Sequence, residues 1–332
     1  MASLQNTTPV PTKAAASPAL FDLLVLGSGI AGLAAARLAQ NDGRSVLVID
    51  KGRRLGGRVS TRQQGGFIFN HGAQFVTAKG TEFASLLAMA KVAGNIKDWQ
   101  ISDNKIVQIG TPSMHDLPQF MATGLIIRQK TEITQIAHHG GHIGFFDKDG
   151  LFAMGRQAII SAPAAQTGEL LADIYPELAA TAGLVSYDPC WTIMLGLEDD
   201  YGLGTAPLRE EAAGIALSVP EMTRSNQKSG LGAPALTIQA TGQWSQQHLQ
   251  DDPQIVIESL CQIWQNLNGK PLGIIRTATA HRWLYAKVIT AVPSDAPRLS
   301  NDGKLTIAGD WLGGPRVEQA FDSGQQAYRH LN

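Results

Sequence analysis

The first strong pattern in the chain is an apolar run from Phe21 to Leu26, which leads through spaced glycines into an alanine-rich segment. A short continuous apolar run indicates a buried strand, and alanine has the highest intrinsic helix propensity. A second apolar run, Ser45 to Ile49, predicts another buried strand. The order strand, helix, strand is typical of a parallel sheet with helices on its faces.

The rest of the chain continues this alternation and then becomes richer in strands. Further strands are predicted at 67–70, 96–101, 125–128, 131–136, 158–163, 191–197, 214–219, 235–241, 273–283 and 304–310. Helices are predicted at 82–93, 113–122, 253–267 and 317–331. Residues Asp147 to Gly150 have the composition of a hairpin turn. The pattern favours an α/β fold with a strand-rich second part.

The spaced glycines between the first strand and helix predict a dinucleotide site. Gly27 allows a tight turn, Gly29 leaves room for the backbone to approach a pyrophosphate, and Gly32 lets the helix pack against the strand. The helix N-terminus offers free N–H groups to phosphates. Asp50 ends the second strand at the distance expected for an acid that holds a ribose hydroxyl. The residues predicted here are Gly27, Gly29, Ile30, Ala31, Gly32 and Asp50.

A glycine-rich basic loop, Lys51 to Arg58, follows the acid. Arginine offers a planar, permanently charged fork to phosphate oxygens, and Gly57 allows close backbone approach, so Arg58 is the predicted phosphate contact. Lys51 is a second candidate, although Lys51, Arg53 and Arg54 can also form a solvated basic turn.

Composition narrows the class of partner. The chain has 332 residues, 35 of them glycine, and a formal net charge of -1. Length allows about two domains, and the charge gives no excess of basic residues to bind nucleic acid or an anionic membrane. We therefore expect a small-molecule partner and, by default, a monomer.

Two cysteines and eight scattered histidines add little chemistry. Cys190 and Cys261 have neither disulfide-scaffold nor metal spacing, and the cluster around His138 has the composition of a solvated turn, so no metal site is predicted. No apolar run is long enough to span a bilayer, and residues 1–20 lack the pattern of a secretory signal. We expect a cytoplasmic protein with a disordered N-terminal extension, and a cleaved targeting segment is the alternative for residues 1–20.

Several separated segments resemble the flavin amine oxidase superfamily, and specifically the renalase family. The segments are 50–58, 72–78, 187–192, 243–245, 281–286, 309–311 and 316–320. The glycine loops are shared by the superfamily, whereas Gln243-Trp244-Ser245 and the segment from His281 to Ala286 are similar to renalases. The resemblance implies a discontinuous Rossmann-type FAD-binding domain, residues 21–78, 111–184 and 298–332. A β-rich α+β substrate domain would comprise 79–110 and 185–297.

The resemblance also implies how FAD is held. The sequence shows no certain residue for covalent attachment, so we expect non-covalent binding. Asp310, after Gly309, would accept a hydrogen bond from a ribityl hydroxyl, and the helix that begins near Arg316 would direct its positive end at the pyrimidine ring. Pro315 stands where relatives carry glycine. Further cofactor contacts implied by the resemblance are Ala73, Gln74, Ile133 and Val317.

The candidate substrate-side residues are mostly aromatic. Flat walls suit a planar ring stacked on the isoalloxazine, since stacking brings a ring carbon over the hydride-accepting flavin N5 atom. Each aromatic residue can equally belong to the core. The candidate catalytic residues are Gln74, Trp283, Tyr285, Trp244 and His71. His71 and its neighbour Asn70 depart from the residues usual in the relatives, which are apolar and acidic.

The resemblance implies an oxidase that converts the 2- or 6-dihydro isomers of NAD(P)H to NAD(P)+, with O2 as the acceptor and H2O2 as a product. Such an enzyme would repair damaged metabolites. It needs no general base, because hydride loss already yields an aromatic pyridinium. Two alternatives remain open: a flavin-dependent amine oxidase, and a non-catalytic protein that keeps the FAD fold to bind a partner.

Overall fold

The computed structural model describes residues 19–200, 203, 206–224 and 234–332. Within these residues the chain forms a seven-stranded and a five-stranded sheet with helices packed on both. Most of the predicted disordered extension lies outside the described residues, and the first strand already begins at Leu20.

The helices and strands run in chain order as follows. The strands are β1 (Leu20–Leu26), β2 (Val46–Ile49), β3 (Arg62–Gln64), β4 (Phe67–Phe69), β5 (Ile96–Ser102), β6 (Lys105–Gly110), β7 (Ile126–Arg128), β8 (Gln135–His139), β9 (His142–Asp147), β10 (Gly150–Ile160), β11 (Ser186–Leu197), β12 (Leu208–Glu210), β13 (Ile215–Pro220), β14 (Ala235–Ala240), β15 (Ile275–Thr290) and β16 (Leu305–Ile307). The helices are α1 (Ile30–Asn41), α2 (Thr81–Val92), α3 (Asp116–Ala122), α4 (Ala164–Leu171), α5 (Pro176–Gly183), α6 (Gly242–Gln247), α7 (Pro253–Asn268) and α8 (Val317–His330). Single 3-10 turns cover Glu211–Ala213, Glu221–Arg224 and Asp310–Leu312.

The seven-stranded sheet is the nucleotide-binding type. Strands β7, β2, β1 and β10 are parallel neighbours in that order, and β16 pairs in parallel with the last part of β10. The antiparallel strands β9 and β8 extend the sheet from the first part of β10. Because β1, β2, β10 and β16 are parallel, their carboxyl ends lie at one edge, where sheets of this kind bind ligands.

Alternating residues of β1 show why helices cover both faces of this sheet. Leu23 and Val25 are buried against the helices α1 and α8. Leu24 and Leu26 belong to the cluster on the other face, which includes Leu171 at the end of α4 and further residues of α5. Strands of a parallel sheet are buried on both faces, which accounts for the continuous apolar run in the sequence.

The five-stranded sheet has the order β12, β13, β14, β11, β15 and is antiparallel. One face packs on α7 through a cluster that includes Trp191, Ile193 and Trp264. Directly opposed residues of antiparallel strands share a face. The register pairs Cys190 with Trp283, so these two side chains lie on the other face, toward the first sheet.

The predicted α/β fold with a Rossmann-type domain and a further strand-rich part is confirmed, although several boundaries differ. Helices α4 and α5 were not predicted. Residues 131–134, predicted to begin a strand, are not in one; there the Thr131 N–H bonds to the Asp50 carbonyl, 3.0 Å away, and β8 begins only at Gln135. The renalase-like segment Gln243-Trp244-Ser245 lies on α6.

Candidate active site

A cavity of about 1090 Å³ lies between the carboxyl edge of the first sheet and the free face of the second. Ordinary small-molecule pockets measure about 300–1,000 Å³, so this one has room for a large ligand. Its walls include most of the predicted cofactor residues: Gly27, Gly29, Ile30, Ala31, Asp50, Lys51, Gly57, Arg58, Ala73, Ile133, Gly309, Asp310, Arg316 and Val317. Residues distant in sequence therefore meet as the motifs predict.

The three motif glycines meet three different demands. Gly27 has a φ of +103°, a conformation that L side chains rarely adopt. A Cβ on Gly32 would lie 2.0 Å from the Gly27 carbonyl oxygen, so close helix–strand packing requires glycine there. A Cβ on Gly29 would meet no protein atom within 4 Å. Gly29 thus faces open space in the cavity, and the protein itself gives no packing reason for a glycine at this position.

The first turn of α1 is an anion site in its geometry. Its N-cap residue, Gly29, makes no side-chain capping bond, and no acidic residue occupies the first turn. Ile30 and Ala31 line the cavity. A helix end of this kind leaves N–H groups and the positive end of the helix dipole for a ligand phosphate.

Asp50 is held rigidly at the end of β2. One carboxylate oxygen accepts hydrogen bonds from the Ser28 N–H and hydroxyl, both at 2.6 Å, and the other accepts one from the Gly52 N–H at 2.6 Å. The adjacent Lys51 lies 3.6 Å from Glu132, and both side chains are exposed. Asp50 therefore fixes both loops that the sequence assigns to the nucleotide.

Ile133 presents its backbone to the same end of the cavity. Its side chain is buried, yet among the described residues neither its N–H nor its carbonyl has a hydrogen-bond partner. Buried main-chain polar groups are nearly always paired. The free pair at Ile133 is therefore positioned to bond to a ligand.

Arg58 links three parts of the molecule. Its Nη1 atom donates to the carbonyls of Tyr285 and Ala286 in β15, at 3.1 and 3.2 Å, and its Nη2 atom lies 2.5 Å from an Asp310 oxygen. The Asp310 side chain is only 7% exposed. The predicted phosphate ligand and the predicted ribityl acceptor are thus ion-paired to each other and joined to the second sheet.

The C-terminal segment closes the far side of the cavity. Gly309 has a φ of +155°, and a Cβ there would lie 2.3 Å from the Trp311 indole nitrogen. Arg316 donates to the Thr77 hydroxyl at 3.1 Å and lies 3.0 Å from Glu318. These contacts hold the start of α8, with Arg316 and Val317, against the cavity.

An aromatic cluster forms beside the second sheet. The rings of His71 and Trp283 stack with centroids 5.3 Å apart, and His281 packs edge-on against Trp283 at 4.3 Å. The Trp283 Nε1 atom also donates to the His71 carbonyl at 3.0 Å. Burial lowers the pKa of His71 to about 3 and that of His281 to about 4, so both rings are neutral at neutral pH. Trp283 lines the cavity with its plane fixed by uncharged neighbours.

Gln74 is buried behind this cluster and is fully occupied by protein partners. Its amide N–H group donates to the carbonyls of Asn70 and Gly72, and its side-chain oxygen accepts from Arg224. Arg224 in turn lies 2.9 Å from Glu221, and both side chains are less than 10% exposed. Gln74 is not in the cavity wall, and these bonds connect its loop to the second sheet.

Of the five predicted catalytic residues only Trp283 lines this cavity, whereas His71, Gln74, Trp244 and Tyr285 do not. Trp244 stacks on His248 with centroids 3.9 Å apart and packs against Gly214 on the α7 side of the sheet. Tyr285 packs edge-on against Tyr187 at 5.3 Å. Its backbone carbonyl accepts a hydrogen bond from Arg58, which is a residue of the cavity wall.

The cavity wall also contains residues that sequence reasoning missed. They include Cys190, Gln239, Trp311 and, on α4, Gln166, Glu169 and Leu170. Burial raises the pKa of the Cys190 thiol to about 11, so it is protonated at neutral pH. The polar residues Thr237 and Gln239 alternate with apolar residues in β14, and this alternation was an available signal for side chains on the cavity side of the strand. Among the residues described, no group of three His, Cys, Asp or Glu side chains is arranged to hold a metal ion.

Comparisons with known proteins agree with this architecture. The NAD(P)-binding Rossmann-like domain family matches residues 25–92. A possible lysine-specific histone demethylase 1 of Drosophila melanogaster is 39% identical over 69 residues, which cover 21% of this chain and 7% of that protein. This match therefore covers only a short part of either protein.

Solved structures match over nearly the whole chain. A putative protoporphyrinogen oxidase from Exiguobacterium sp. 255-15 has a TM-score of 0.73 at 13% identity and covers 92% of this chain and 97% of its own. Cyclohexylamine oxidase from Brevibacterium oxydans IH-35A has a TM-score of 0.68 at 12% identity, covering 94% and 98%. A putrescine oxidase variant has a TM-score of 0.72 at 10% identity, covering 93% and 98%. The chain shares the fold of these oxidases. No helix in the described part of the chain is long and apolar enough to cross a membrane.

Proposed function

We propose that this protein is a renalase-like FAD-dependent oxidase that converts 2- or 6-dihydro isomers of NAD(P)H to NAD(P)+, with O2 as the electron acceptor and H2O2 as a product. The observation that carries the proposal is one cavity whose wall includes both the dinucleotide loops and Trp283. Such a space can hold a long cofactor and a planar substrate ring at its end.

The residues present fit non-covalently bound FAD. The open space over Gly29 and the uncapped start of α1 suit the pyrophosphate, and the free backbone groups of Ile133 suit the adenine. Asp310 has one oxygen bound to Arg58 and a second oxygen for a ribityl hydroxyl. FAD, when bound, supplies a two-electron acceptor that can be reoxidised by O2.

The second sheet suits a neutral planar ring. Trp283 supplies a flat wall, and the surrounding His71 and His281 rings are uncharged at neutral pH. A dihydronicotinamide needs no proton removed when its hydride leaves, so positioning of the ring is the main demand on the protein. Amines are the competing substrate class, in keeping with the names of two proteins of the same fold.

Anaerobic stopped-flow absorbance is the decisive experiment. The purified yellow protein is mixed with isomeric dihydronicotinamide dinucleotides, with ordinary NADH and NADPH, and with cyclohexylamine and putrescine. We expect the visible flavin band to bleach with the isomers alone and to recover, with H2O2 release, when O2 is admitted. Bleaching by amines but not by the isomers would establish an amine oxidase instead.

A protein that is colourless and takes up no added FAD would point to the non-catalytic alternative. The Trp283→Ala variant provides a second test of the site. It should lower the rate of flavin reduction by an isomeric substrate while the bound FAD content stays unchanged, because Trp283 lies on the second sheet rather than on the nucleotide loops. Gln246→Ala, at an exposed position of α6, is the control and should change neither the rate of flavin reduction nor the FAD content.

A further inference from the structure

Gln239 is a polar side chain on the cavity side of the second sheet. It belongs to β14 and lies directly opposite Thr192 of β11, which itself lies opposite His281 of β15. These opposed residues share the face that carries Trp283. Gln239 lines the cavity and is half-buried. Neither the glycine motifs nor the aromatic segments of the sequence include it.

The orientation of the Gln239 amide is fixed by two backbone carbonyls. Its Nε2 atom lies 2.8 Å from the Gly72 oxygen and 3.4 Å from the His71 oxygen. A carbonyl oxygen only accepts hydrogen bonds, so the amide NH2 must face both, and Oε1 must point away from them. Among the described residues Oε1 accepts no hydrogen bond. The cavity wall therefore holds a preset acceptor with no protein partner there.

The acceptor and the aromatic wall share an anchor. The His71 carbonyl accepts from Trp283 Nε1 at 3.0 Å and lies 3.4 Å from Gln239 Nε2. The position of the indole plane relative to the amide is thus set by one main-chain group. A ring that lies against Trp283 would therefore place its substituents within reach of the fixed Gln239 amide.

We propose that Gln239 Oε1 accepts a hydrogen bond from the carboxamide of the substrate ring, and that it selects a 3-carboxamide over rings without an N–H donor. This proposal rests on the dihydronicotinamide function proposed above. In such a ring the nitrogen is substituted by ribose, so the carboxamide NH2 is the only donor. A 3-acetyl group offers no N–H, and a 3-carboxylate would be repelled by Oε1.

The test compares ligands and variants in the FAD-loaded enzyme. The probes are the isomeric dihydro forms of NAD+, of its 3-acetylpyridine analogue and of its nicotinic acid analogue. The half-saturating concentration and the limiting rate of anaerobic flavin reduction are measured for each probe. We expect wild type to bind the carboxamide best. Gln239→Met, which keeps the length of the side chain, should weaken carboxamide binding about 3- to 10-fold, the range of one net hydrogen bond, and leave the acetyl analogue unchanged.

The exposed Gln246→Met on α6 is the matched control and should alter neither ligand. Equal weakening of the carboxamide and acetyl ligands in Gln239→Met would mean that Gln239 only supports the wall, which overturns the inference. Equal binding of both ligands by wild type would overturn it even if the variant does not fold. Flavin that no dihydronicotinamide reduces would remove the proposed function itself, and the inference with it.

Discussion

A buried ion pair between Glu221 and Arg224 offers the sharpest test of how the two sheets are joined. Their side chains are 9% and 8% exposed, and Arg224 Nε lies 2.9 Å from a Glu221 oxygen. Arg224 also donates to the backbone and side-chain oxygens of Gln74, while Glu221 accepts from Asn70 at 2.9 Å and from Thr237 at 2.7 Å. We expect Arg224→Met to destabilise the protein strongly and to weaken cofactor binding.

The expected magnitude follows from burial. Arg224→Met leaves the Glu221 carboxylate in the interior without its counter-charge, and removal of one partner of a buried pair costs about 3–5 kcal/mol. Glu221→Gln leaves the guanidinium unpaired and should cost a similar amount. In the double variant no uncompensated charge remains. Its loss should therefore be smaller than the sum of the two single losses by about 2 kcal/mol or more, within the coupling range of contacting residues.

Urea unfolding, followed by tryptophan fluorescence and far-UV circular dichroism, measures all four proteins. FAD titration of each variant gives the second readout, because Arg224 bonds to Gln74, which directly follows the cavity-wall residue Ala73. The surface pair Lys91 and Asp98, with half-exposed side chains 2.7 Å apart, is the control, and its disruption should cost about 1 kcal/mol or less. Additive losses in the double variant would refute the reasoning, since the charges would then act independently.

Three further predictions concern the cavity and its surroundings. Gly29→Ala should fold normally, because its Cβ meets no protein atom, but should weaken FAD binding about tenfold or more. Gly32→Ala should lower the free energy of unfolding by about 1–3 kcal/mol or prevent folding, because its Cβ would clash with the Gly27 carbonyl oxygen. Equal thermal midpoints for the two variants would contradict this. Cys190, with its pKa raised by burial to about 11, should react with iodoacetamide slowly at pH 7.5 and faster only toward pH 11, as mass spectrometry can show. Burial lowers the pKa of His281 to about 4 in the folded protein, whereas its pKa in the unfolded chain is about 6.5. Between these pH values the unfolded chain binds a proton that the folded protein does not, so the free energy of unfolding decreases as the pH falls from about 6.5 toward 4. His281→Phe should reduce the dependence of the urea midpoint on pH between about 6.5 and 4, whereas the exposed control His330→Gln should leave it unchanged. If the profiles of wild type and His281→Phe are parallel, His281 is not the group responsible.

The nucleotide end of the site could be predicted from sequence because its demands are local. Gly27 needs a positive φ, Gly32 needs the absence of a Cβ, and Asp50 needs to follow a strand, and each demand restricts the residue type at a fixed spacing. The strand at its start was equally clear, since residues 23–26 of β1 are buried on both faces and are all apolar. Where backbone geometry dictates the residue, the pattern is visible without a structure.

The aromatic candidates were harder to place because an aromatic residue serves a core and a ligand wall equally well. Trp283 and Trp244 both lie in segments selected by the same family resemblance. Trp283 lines the cavity, however, whereas Trp244 stacks on His248. The decisive difference is the face of the sheet or helix from which each projects, and that depends on strand register. Register is set by long-range pairing of β11 with β15, about ninety residues apart, which no local pattern records.

The contacts between the second sheet and the loop at 70–74 explain why the other residues of the candidate site could not be predicted from the sequence. Gln239, Trp283 and Arg224 each donate to a main-chain carbonyl of this loop, at Gly72, His71 and Gln74 respectively. Every residue type has the same main-chain carbonyl, so the side chains of the loop do not indicate which residues will bond to it. Arg58 bonds to β15 in the same way. The side chains of the second sheet that bond to this loop are therefore specified by where the backbone runs, and Gln239 can be recognised only once its two acceptors are seen beside it.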